Sequence, residues 1–280
     1  MQELRSAILV RHNPLPAAAA VLVIIAFAGE LQPAASGSAA AAECFVASRL
    51  DRSSPVVSDV RECAHKTAPA STFKIPHALI ALQTGVIKAD TVFTWDGTRY
   101  AFESWRRNHD LDSAIKSSVY PIFQRTAAAI GRARMHQRLS ALGYAADGFD
   151  GDIATFWNDG DLLVSPLEQL AFLQRFFRGA LPIDERHRTT VRDALHMPAG
   201  HIVNAAGVHP FALAWPAATI VRAKTGNTTV NGERVSWLVG ELELERVEYV
   251  FVARARSGGA LDTTAGADVA RHGLNALERK

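Results

Sequence analysis

The chain has 280 residues, of which 48% are hydrophobic and 21% are charged, a composition that suits one large globular domain or two closely packed ones. Its formal net charge is only +2, and its basic residues are scattered along the sequence, which argues against binding to nucleic acid or to an acidic polymer. We therefore expect no nucleic-acid partner.

The first 42 residues have the pattern of a cleavable export signal. Arg5 and Arg11 supply positive charge, residues 17–29 form an apolar run, and small residues fill positions 34–42. The apolar run is too short to span a bilayer comfortably, although it could instead form a buried helix of the mature fold. We predict a signal peptide over residues 1–42, a periplasmic protein, and no membrane attachment after cleavage.

Cys44 and Cys63 are the only cysteines, and both follow the predicted signal. Because exported proteins meet oxidising conditions, we expect a disulfide between them, which would stabilise the fold by roughly 3 kcal/mol. The alternative is two unpaired structural thiols. Neither cysteine lies in a cluster with histidines, so we expect no zinc site and no other metal.

The most informative motif is Ser71-x-x-Lys74, within residues 69–76. If the segment turns helically after Ala70, residues i and i+3 share a face, and the lysine nitrogen can take the proton of the serine hydroxyl. Residues 75–82 continue an apolar helical pattern that ends at Thr84-Gly85. The tetrapeptide alone more often describes an exposed helix turn, but the apolar helix after it favours a nucleophile with an adjacent base.

The region after Ser71 is predicted to be largely helical to about Leu195, and it contains two further candidate site residues, Ser118 and Trp157. Residues 115–142 have long amphipathic spacing, and Ser165 with Glu168 forms a capping-box helix start. Ser118, just before an apolar helix, could cap that helix or relay a proton. Trp157 is by default a core aromatic residue whose indole N–H needs a partner.

Strand signals dominate the rest of the chain. The β-prone runs cover residues 211–215, 220–224, 235–244 and 247–255, and a closing helix covers 267–277. Helices in the middle of the chain and strands near its end predict an α+β fold, with an antiparallel sheet flanked by helices. We expect a mostly helical subdomain at roughly 86–204 and a sheet subdomain formed by the segments that flank it.

Lys224-Thr225-Gly226 ends one predicted strand and precedes a turn-rich stretch. A cation and a hydroxyl on a strand can hold a substrate carboxylate, and Gly226 would leave room for a ligand beside the backbone. The alternative is a simple exit from strand to turn.

A series of short motifs, including the two at 69–76 and 224–226 described above, occurs in a fixed order along the chain. The segments are 69–76, 84–88, 93–97, 121–124, 156–157, 224–226 and 237–240. In sequence and order they resemble the class D β-lactamases, the oxacillinase-type enzymes, over almost the whole mature chain. The resemblance implies a β-lactamase/transpeptidase-like fold and a single catalytic domain over residues 43–280.

The resemblance also implies a role for each matching residue at the reacting centre. Ser71 would be the acylated nucleophile, and Lys74 the base, carboxylated on its side-chain nitrogen by carbon dioxide from bicarbonate, with no other cofactor. Ser118 would pass a proton between Lys74 and the leaving nitrogen. Trp157 would donate its indole N–H to the carbamate.

The remaining matching residues would bind the substrate. Lys224, Thr225 and Gly226 would form the site of the substrate carboxylate. The backbone N–H groups of Ser71 and Asn227 would form the oxyanion hole.

Three positions depart from the family pattern. Tyr120 replaces the usual valine that restricts access to the lysine, and the usual Tyr-Gly-Asn is represented only by Tyr144-Ala145-Ala146. Many relatives bind the substrate carboxylate with an arginine beyond the final strands, and it has no clear counterpart around residues 263–266. Arg254 and Arg256 are the substitutes that the sequence offers.

The leading hypothesis is a hydrolase of small-molecule β-lactams, as a monomer or a homodimer. One alternative is a β-lactam sensor domain that acylates without turnover, and another is a peptidoglycan transpeptidase or carboxypeptidase. A metallo-β-lactamase fits poorly, because the ten histidines include no His-x-His or His-x-x-x-His pair.

Overall fold

The computed structural model describes residues 41–51, 54–145, 147–245 and 247–278. Residues 1–40 of the predicted signal peptide lie outside these ranges. No helix within the ranges is long and apolar enough to cross a membrane.

Within these ranges the main sheet is antiparallel and has five strands in the order β2-β1-β7-β6-β5. A separate two-stranded hairpin is made by β3 and β4. The strand bounds are β1 Ala42–Arg49, β2 Val56–Val57, β3 His201–Asn204, β4 Gly207–Pro210, β5 Ile220–Val230, β6 Glu233–Leu244 and β7 Val247–Ser257. Between β5 and β6, Asn231 and Gly232 have φ angles of 50° and 82°, which suit the two-residue turn of a tight hairpin.

Most helices lie between β2 and β3 in the chain. The α-helices of the described residues are α1 Val60–Ala64, α2 Lys74–Gln83, α3 Leu111–Lys116, α4 Tyr120–Ile130, α5 Arg132–Leu142, α6 Phe156–Asp159, α7 Pro166–Phe177, α8 Glu185–Ala194 and α9 Ala265–Glu278. Short 3-10 helices cover Ala70–Phe73 and Glu103–Trp105. The predicted α+β class, with helices flanking an antiparallel sheet, is confirmed.

The sheet separates two apolar cores, because successive side chains of a strand point to opposite faces. In β7, Phe251 packs into the core that includes Leu274 of α9, whereas the adjacent Val252 belongs to the other core. That second core contains Phe73 of the 3-10 helix and Trp157 of α6. The Ser71 segment is therefore held between the helical region and the sheet.

The element boundaries differ from the sequence prediction in several places. Residues 211–215 are not a strand, and the chain instead forms the β3–β4 hairpin just before them. The helical stretch 115–142 is divided into three helices, with breaks at 117–119 and at Gly131, whose φ is +79°. Strand β5 continues beyond Gly226 to Val230 because its backbone stays paired with β6. The predicted capping box at Ser165 and Glu168 is present.

A disulfide joins Cys44 of β1 to Cys63 of α1, with 5.2 Å between the Cα atoms. The disulfide holds α1 beside strand β1.

Candidate active site

Ser71 lies in the 3-10 helix that leads into α2. The Nζ atom of Lys74, the first residue of α2, is 2.8 Å from Ser71 Oγ. The preceding Ala70 has a φ angle of 50°, a left-handed conformation that costs energy for a residue with a Cβ. Thr72 Oγ1 donates to Pro69 O at 2.6 Å and accepts from Gln169 Nε2 at 2.8 Å, which holds this strained turn in place.

The Lys74 side chain is fully buried beside aromatic rings. Its Nζ lies 5.1 Å from the ring centroid of Phe123 and 5.7 Å from that of Tyr120. Burial, together with the charge of Lys224, lowers the pKa of Lys74 well below its usual value. A neutral amine can accept the proton of the Ser71 hydroxyl, which a lysine of ordinary pKa could not do at neutral pH.

A second serine and lysine pair lies beside the first. Lys224 Nζ donates to Ser118 Oγ at 3.1 Å and to the Thr225 carbonyl oxygen at 2.9 Å. Ser118 lies between α3 and α4 and has a φ angle of 54°, so it is held in a left-handed conformation rather than serving as the cap of α4. Burial lowers the pKa of Lys224 to about 7.

Ser71 and Ser118 both line a cleft of about 290 Å³. The other lining residues come from β3, β5, α4, α6, the 3-10 helix Glu103–Trp105 and the surrounding loops: Phe102, Trp105, Tyr120, Asn158, Asn204, Ala205, Ala206, Thr225, Gly226, Asn227 and Thr263. Ser104 Oγ donates to Ala205 O at 2.7 Å, and this hydrogen bond connects the 3-10 helix Glu103–Trp105 to the β3–β4 turn. The cleft therefore combines the hydroxyls of the two serines with the aromatic side chains of Phe102 and Trp105.

Strand β5 is the edge of the sheet that faces the site. Ala223 N donates to Leu195 O at 2.8 Å, and Met197 N donates to Val221 O at 2.9 Å, so odd-numbered residues of β5 direct their backbone groups away from β6. By the same alternation the backbone N–H groups of Thr225 and Asn227 face outward. The Asn227 N–H is thus available at the cleft.

Gly226 lies where β5 packs against the 3-10 helix that contains Ser71. A Cβ atom at this position would lie 3.0 Å from Pro69 O, 3.0 Å from Thr72 Cγ2 and 3.1 Å from Thr72 N. Such contacts are tighter than a side chain normally makes, so the glycine allows the strand to pack directly on the 3-10 helix. Gly226 also lines the cleft.

Trp157 lies in α6 with its side chain fully buried, and its ring stacks on Phe73 at 5.6 Å between centroids. Its Nε1 has no hydrogen-bond partner within the described residues. The ring of Tyr120 is 5.6 Å from that of Trp157, so Trp157 and Lys74 both neighbour Tyr120.

Sequence analysis did not single out His77, which is also fully buried and has two unpartnered ring nitrogens among the described atoms. Burial and the charge of Lys74 lower the pKa of His77 to about 3. The available signal was an ionisable residue inside an otherwise apolar helix, three positions after Lys74.

The two arginines considered for the substrate carboxylate are engaged elsewhere. Arg254 and Arg256 both form ion pairs with Glu62 of α1, and Arg256 Nε is 2.6 Å from Glu62 Oε1. Neither arginine is among the residues that line the cleft in the described chain. Tyr144 is buried, with its hydroxyl 3.3 Å from Gln169 Oε1, and is likewise absent from that lining.

Comparison with known proteins agrees with this architecture. Residues 46–275 match the family model of the penicillin-binding protein transpeptidase domain, so the fold is of the transpeptidase class. Within that class, β-lactamase OXA-10 of Pseudomonas aeruginosa is 34% identical, over 74% of this chain and 73% of its own length. The chain belongs to the class D β-lactamase family.

Other relatives extend the comparison. β-Lactamase OXA-48 of Klebsiella pneumoniae is 38% identical over 65% of this chain, which spans 63% of that relative's length. The structure of the class D β-lactamase YbXI from Nostoc has a TM-score of 0.74 and 28% identity, covering 85% of this chain and 94% of its own. The C-terminal domain of the Bacillus licheniformis BlaR penicillin receptor has a TM-score of 0.72 and 26% identity. The match covers 85% of this chain and 90% of the receptor domain.

Proposed function

We propose that the protein hydrolyses the β-lactam amide of penicillin-type antibiotics through an acyl-enzyme on Ser71, and so confers β-lactam resistance. The observation that carries this proposal is the 2.8 Å contact between Ser71 Oγ and the Nζ of a fully buried lysine. A nucleophile beside a neutral base is the minimum requirement for acyl transfer.

In acylation, Lys74 accepts the Ser71 proton while Ser71 Oγ bonds to the lactam carbonyl carbon. The backbone N–H groups of Ser71 and Asn227 stabilise the resulting oxyanion, each by roughly 3 kcal/mol in the transition state. The carbon–nitrogen bond of the ring then breaks, and Ser118 passes a proton to the leaving nitrogen. Support for this last role is the left-handed Ser118 backbone, which places its hydroxyl at the cleft.

Lys224 and Thr225 bind the substrate carboxylate in this proposal, with Gly226 giving access to the backbone. Burial of the Lys224 ammonium strengthens its attraction for an anion, because few water molecules screen it. Phe102 and Trp105, whose ring centroids are 4.9 Å apart, offer an apolar surface to the rest of the substrate.

The residues around Lys74 fit carboxylation by carbon dioxide. Carbamate formation requires a neutral amine, which burial of Lys74 favours, and the anionic product requires donors, of which the unpartnered Trp157 Nε1 is one. A carbamate on Lys74 would supply an oxygen base for the Ser71 proton and for the water that cleaves the acyl-enzyme. The other residues keep the roles described above.

A second candidate function is a penicillin sensor that acylates on Ser71 and does not turn over. The likeness to the BlaR penicillin receptor domain favours it. The two candidates share the acylation step and differ only in whether water releases the product.

We further propose that the protein acts in the periplasm, after removal of residues 1–42 as a signal peptide, as a monomer or a homodimer. The apolar run at residues 17–29 supports export.

The test is hydrolysis of nitrocefin by the purified protein with and without added bicarbonate. We expect turnover that bicarbonate stimulates and that Ser71→Ala and Lys74→Ala each reduce at least about a thousandfold, because both remove a reacting group. Lys116→Ala is the matched control: Lys116 pairs with Asp112 at 2.7 Å on the surface of α3, and its loss should leave the rate unchanged. Stoichiometric labelling of Ser71 without turnover at either bicarbonate level would instead establish the sensor.

A further inference from the structure

The imidazole of His77 is enclosed by aromatic side chains. Its ring centroid lies 5.1 Å from that of Phe123, 5.5 Å from that of Trp157 and 5.7 Å from that of Phe73. The side chain has no exposed surface, and neither ring nitrogen has a hydrogen-bond partner within the described chain. An unpaired buried polar group destabilises a fold, and a phenyl ring would suit these neighbours better.

The enclosure that holds His77 also adjoins the amine of Lys74. The two residues are three positions apart in α2 and therefore share one face of the helix. The Phe123 ring centroid is 5.1 Å from Lys74 Nζ and also 5.1 Å from the His77 ring centroid. Trp157, whose indole N–H also has no partner among the described residues, contacts the His77 ring.

His77 is neutral at physiological pH, since burial opposes its protonation. A neutral imidazole has one N–H donor and one acceptor nitrogen. It can therefore offer a hydrogen bond to an anion without placing a positive charge beside Lys74, where a charge would disturb the base.

We propose that His77 is a positioning residue whose N–H donates a hydrogen bond to the carbamate carried by Lys74, alongside the indole N–H of Trp157. The proposal rests on the carboxylated form of Lys74 in the proposed function. In forming that group, the neutral Lys74 nitrogen bonds to the carbon of carbon dioxide, one carbon–oxygen π pair moves to oxygen, and one proton leaves the nitrogen for solvent. His77 stabilises the anion so formed and fixes its orientation toward Ser71.

The test is the carbamate signal in the 13C NMR spectrum of the protein equilibrated with [13C]bicarbonate, titrated at constant pH. We expect His77→Phe to raise the bicarbonate concentration for half-saturation about tenfold, because one hydrogen bond to an anion is lost. His77→Asn, which keeps an N–H donor, should restore the wild-type value within about twofold. His109→Phe is the matched control, since His109 is another buried imidazole and contacts Ser113 rather than Lys74.

Thermal unfolding in bicarbonate-free buffer separates this role from a structural one. His77→Phe should melt at or above the wild-type temperature there, since the phenyl ring leaves no unpaired nitrogen, while bicarbonate should raise the melting temperature of the wild type more than that of the variant. Equal half-saturation of His77→Phe and wild type, or failure of His77→Asn to restore it, would overturn the proposal. Absence of any carbamate signal in the wild type would also overturn it, whereas the nitrocefin assay tests acyl transfer at Ser71 independently.

Discussion

Lys74 and Lys224 are two buried lysines that have no carboxylate partner among the described residues, and this sets their chemistry. Desolvation disfavours the ammonium form of each, and the charge of Lys224 further opposes protonation of Lys74. The two lysines nevertheless differ in degree. The pKa of Lys74 is lowered well below its usual value, as its proposed role as a base requires, whereas that of Lys224, at about 7, leaves a substantial ammonium fraction that can attract an anion.

Catalytic efficiency should therefore depend on pH through Lys224. Between pH 6 and pH 8 the charged fraction of a group with a pKa of about 7 falls roughly tenfold, so kcat/KM for a penicillin should lose up to about tenfold from this cause. In Lys224→Arg the guanidinium stays charged throughout, and the decline should be absent. The measurement is the pH profile of kcat/KM for both proteins, and parallel profiles would refute the assignment.

The contact between β5 and the 3-10 helix is the element-scale feature that assembles the site. The strand contributes Lys224, Thr225 and the Asn227 backbone, the helix contributes Ser71, and Gly226 lies where the two meet. The position of Ser71, the proposed nucleophile, relative to the Asn227 N–H, a proposed oxyanion donor, consequently depends on the absence of a side chain at Gly226.

Gly226→Ala should separate these two elements by a few tenths of an ångström. We expect a loss of kcat/KM of roughly ten- to a hundredfold, because small displacements of catalytic groups are costly, and a loss of stability of about 1–3 kcal/mol from overpacking. Gly258→Ala is the control, since nothing lies within 4 Å of a Cβ at that position. Steady-state kinetics and thermal unfolding of both variants decide the matter, and unaltered kinetics in Gly226→Ala would contradict the proposed role of the contact.

An element could be predicted from the sequence when the residues that determine it are close together in the chain. The serine and lysine of α2, and the capping box of α7, could be predicted because each depends on residues within one helical turn. Strand β1 was not predicted, since its pairing partner β7 lies some two hundred residues later in the chain. His77 was not singled out for a similar reason. The aromatic enclosure that makes it unusual is formed by Phe123 and Trp157, which are distant in sequence and contact His77 only in the folded chain.

At the scale of the whole molecule, helix α1 is bonded both to β1, near the beginning of the described chain, and to β7, near its end. The Cys44–Cys63 disulfide joins α1 to β1, and Glu62 joins it to Arg254 and Arg256 of β7. Arg254 is fully buried, with its guanidinium 5.3 Å from the ring centroid of Trp237. A buried cation of this kind depends on its carboxylate partner.

The Glu62 carboxylate should accordingly make stability depend on acidity. The hydrogen bond from Arg256 is the main cause that lowers the pKa of Glu62 to about 2, from an ordinary 4.5. Its contribution, up to about 3 kcal/mol, is present above pH 4.5 and is lost as the pH falls toward 2.

Glu62→Gln should remove this contribution at pH 7, and denaturant unfolding from pH 7 down to 2 would show a correspondingly flatter dependence. Glu233→Gln, which removes only a more exposed partner of Arg256, should cost much less. Equal losses of stability in the two variants would contradict the importance assigned to the buried arginine.

The exposed edge of β5 has a consequence for the behaviour of the protein at high concentration. A free strand edge invites pairing with another molecule and hence aggregation. Here the 195–197 segment bonds to one part of the edge, and Thr228 Oγ1 donates to Asn158 O at 2.6 Å near the other, so the opening between them extends over only a few residues around Thr225 and Asn227. The opposite edge is the two-residue strand β2. This opening, which borders the cleft, is thus too short to template a foreign strand, so the edge of β5 should not promote aggregation.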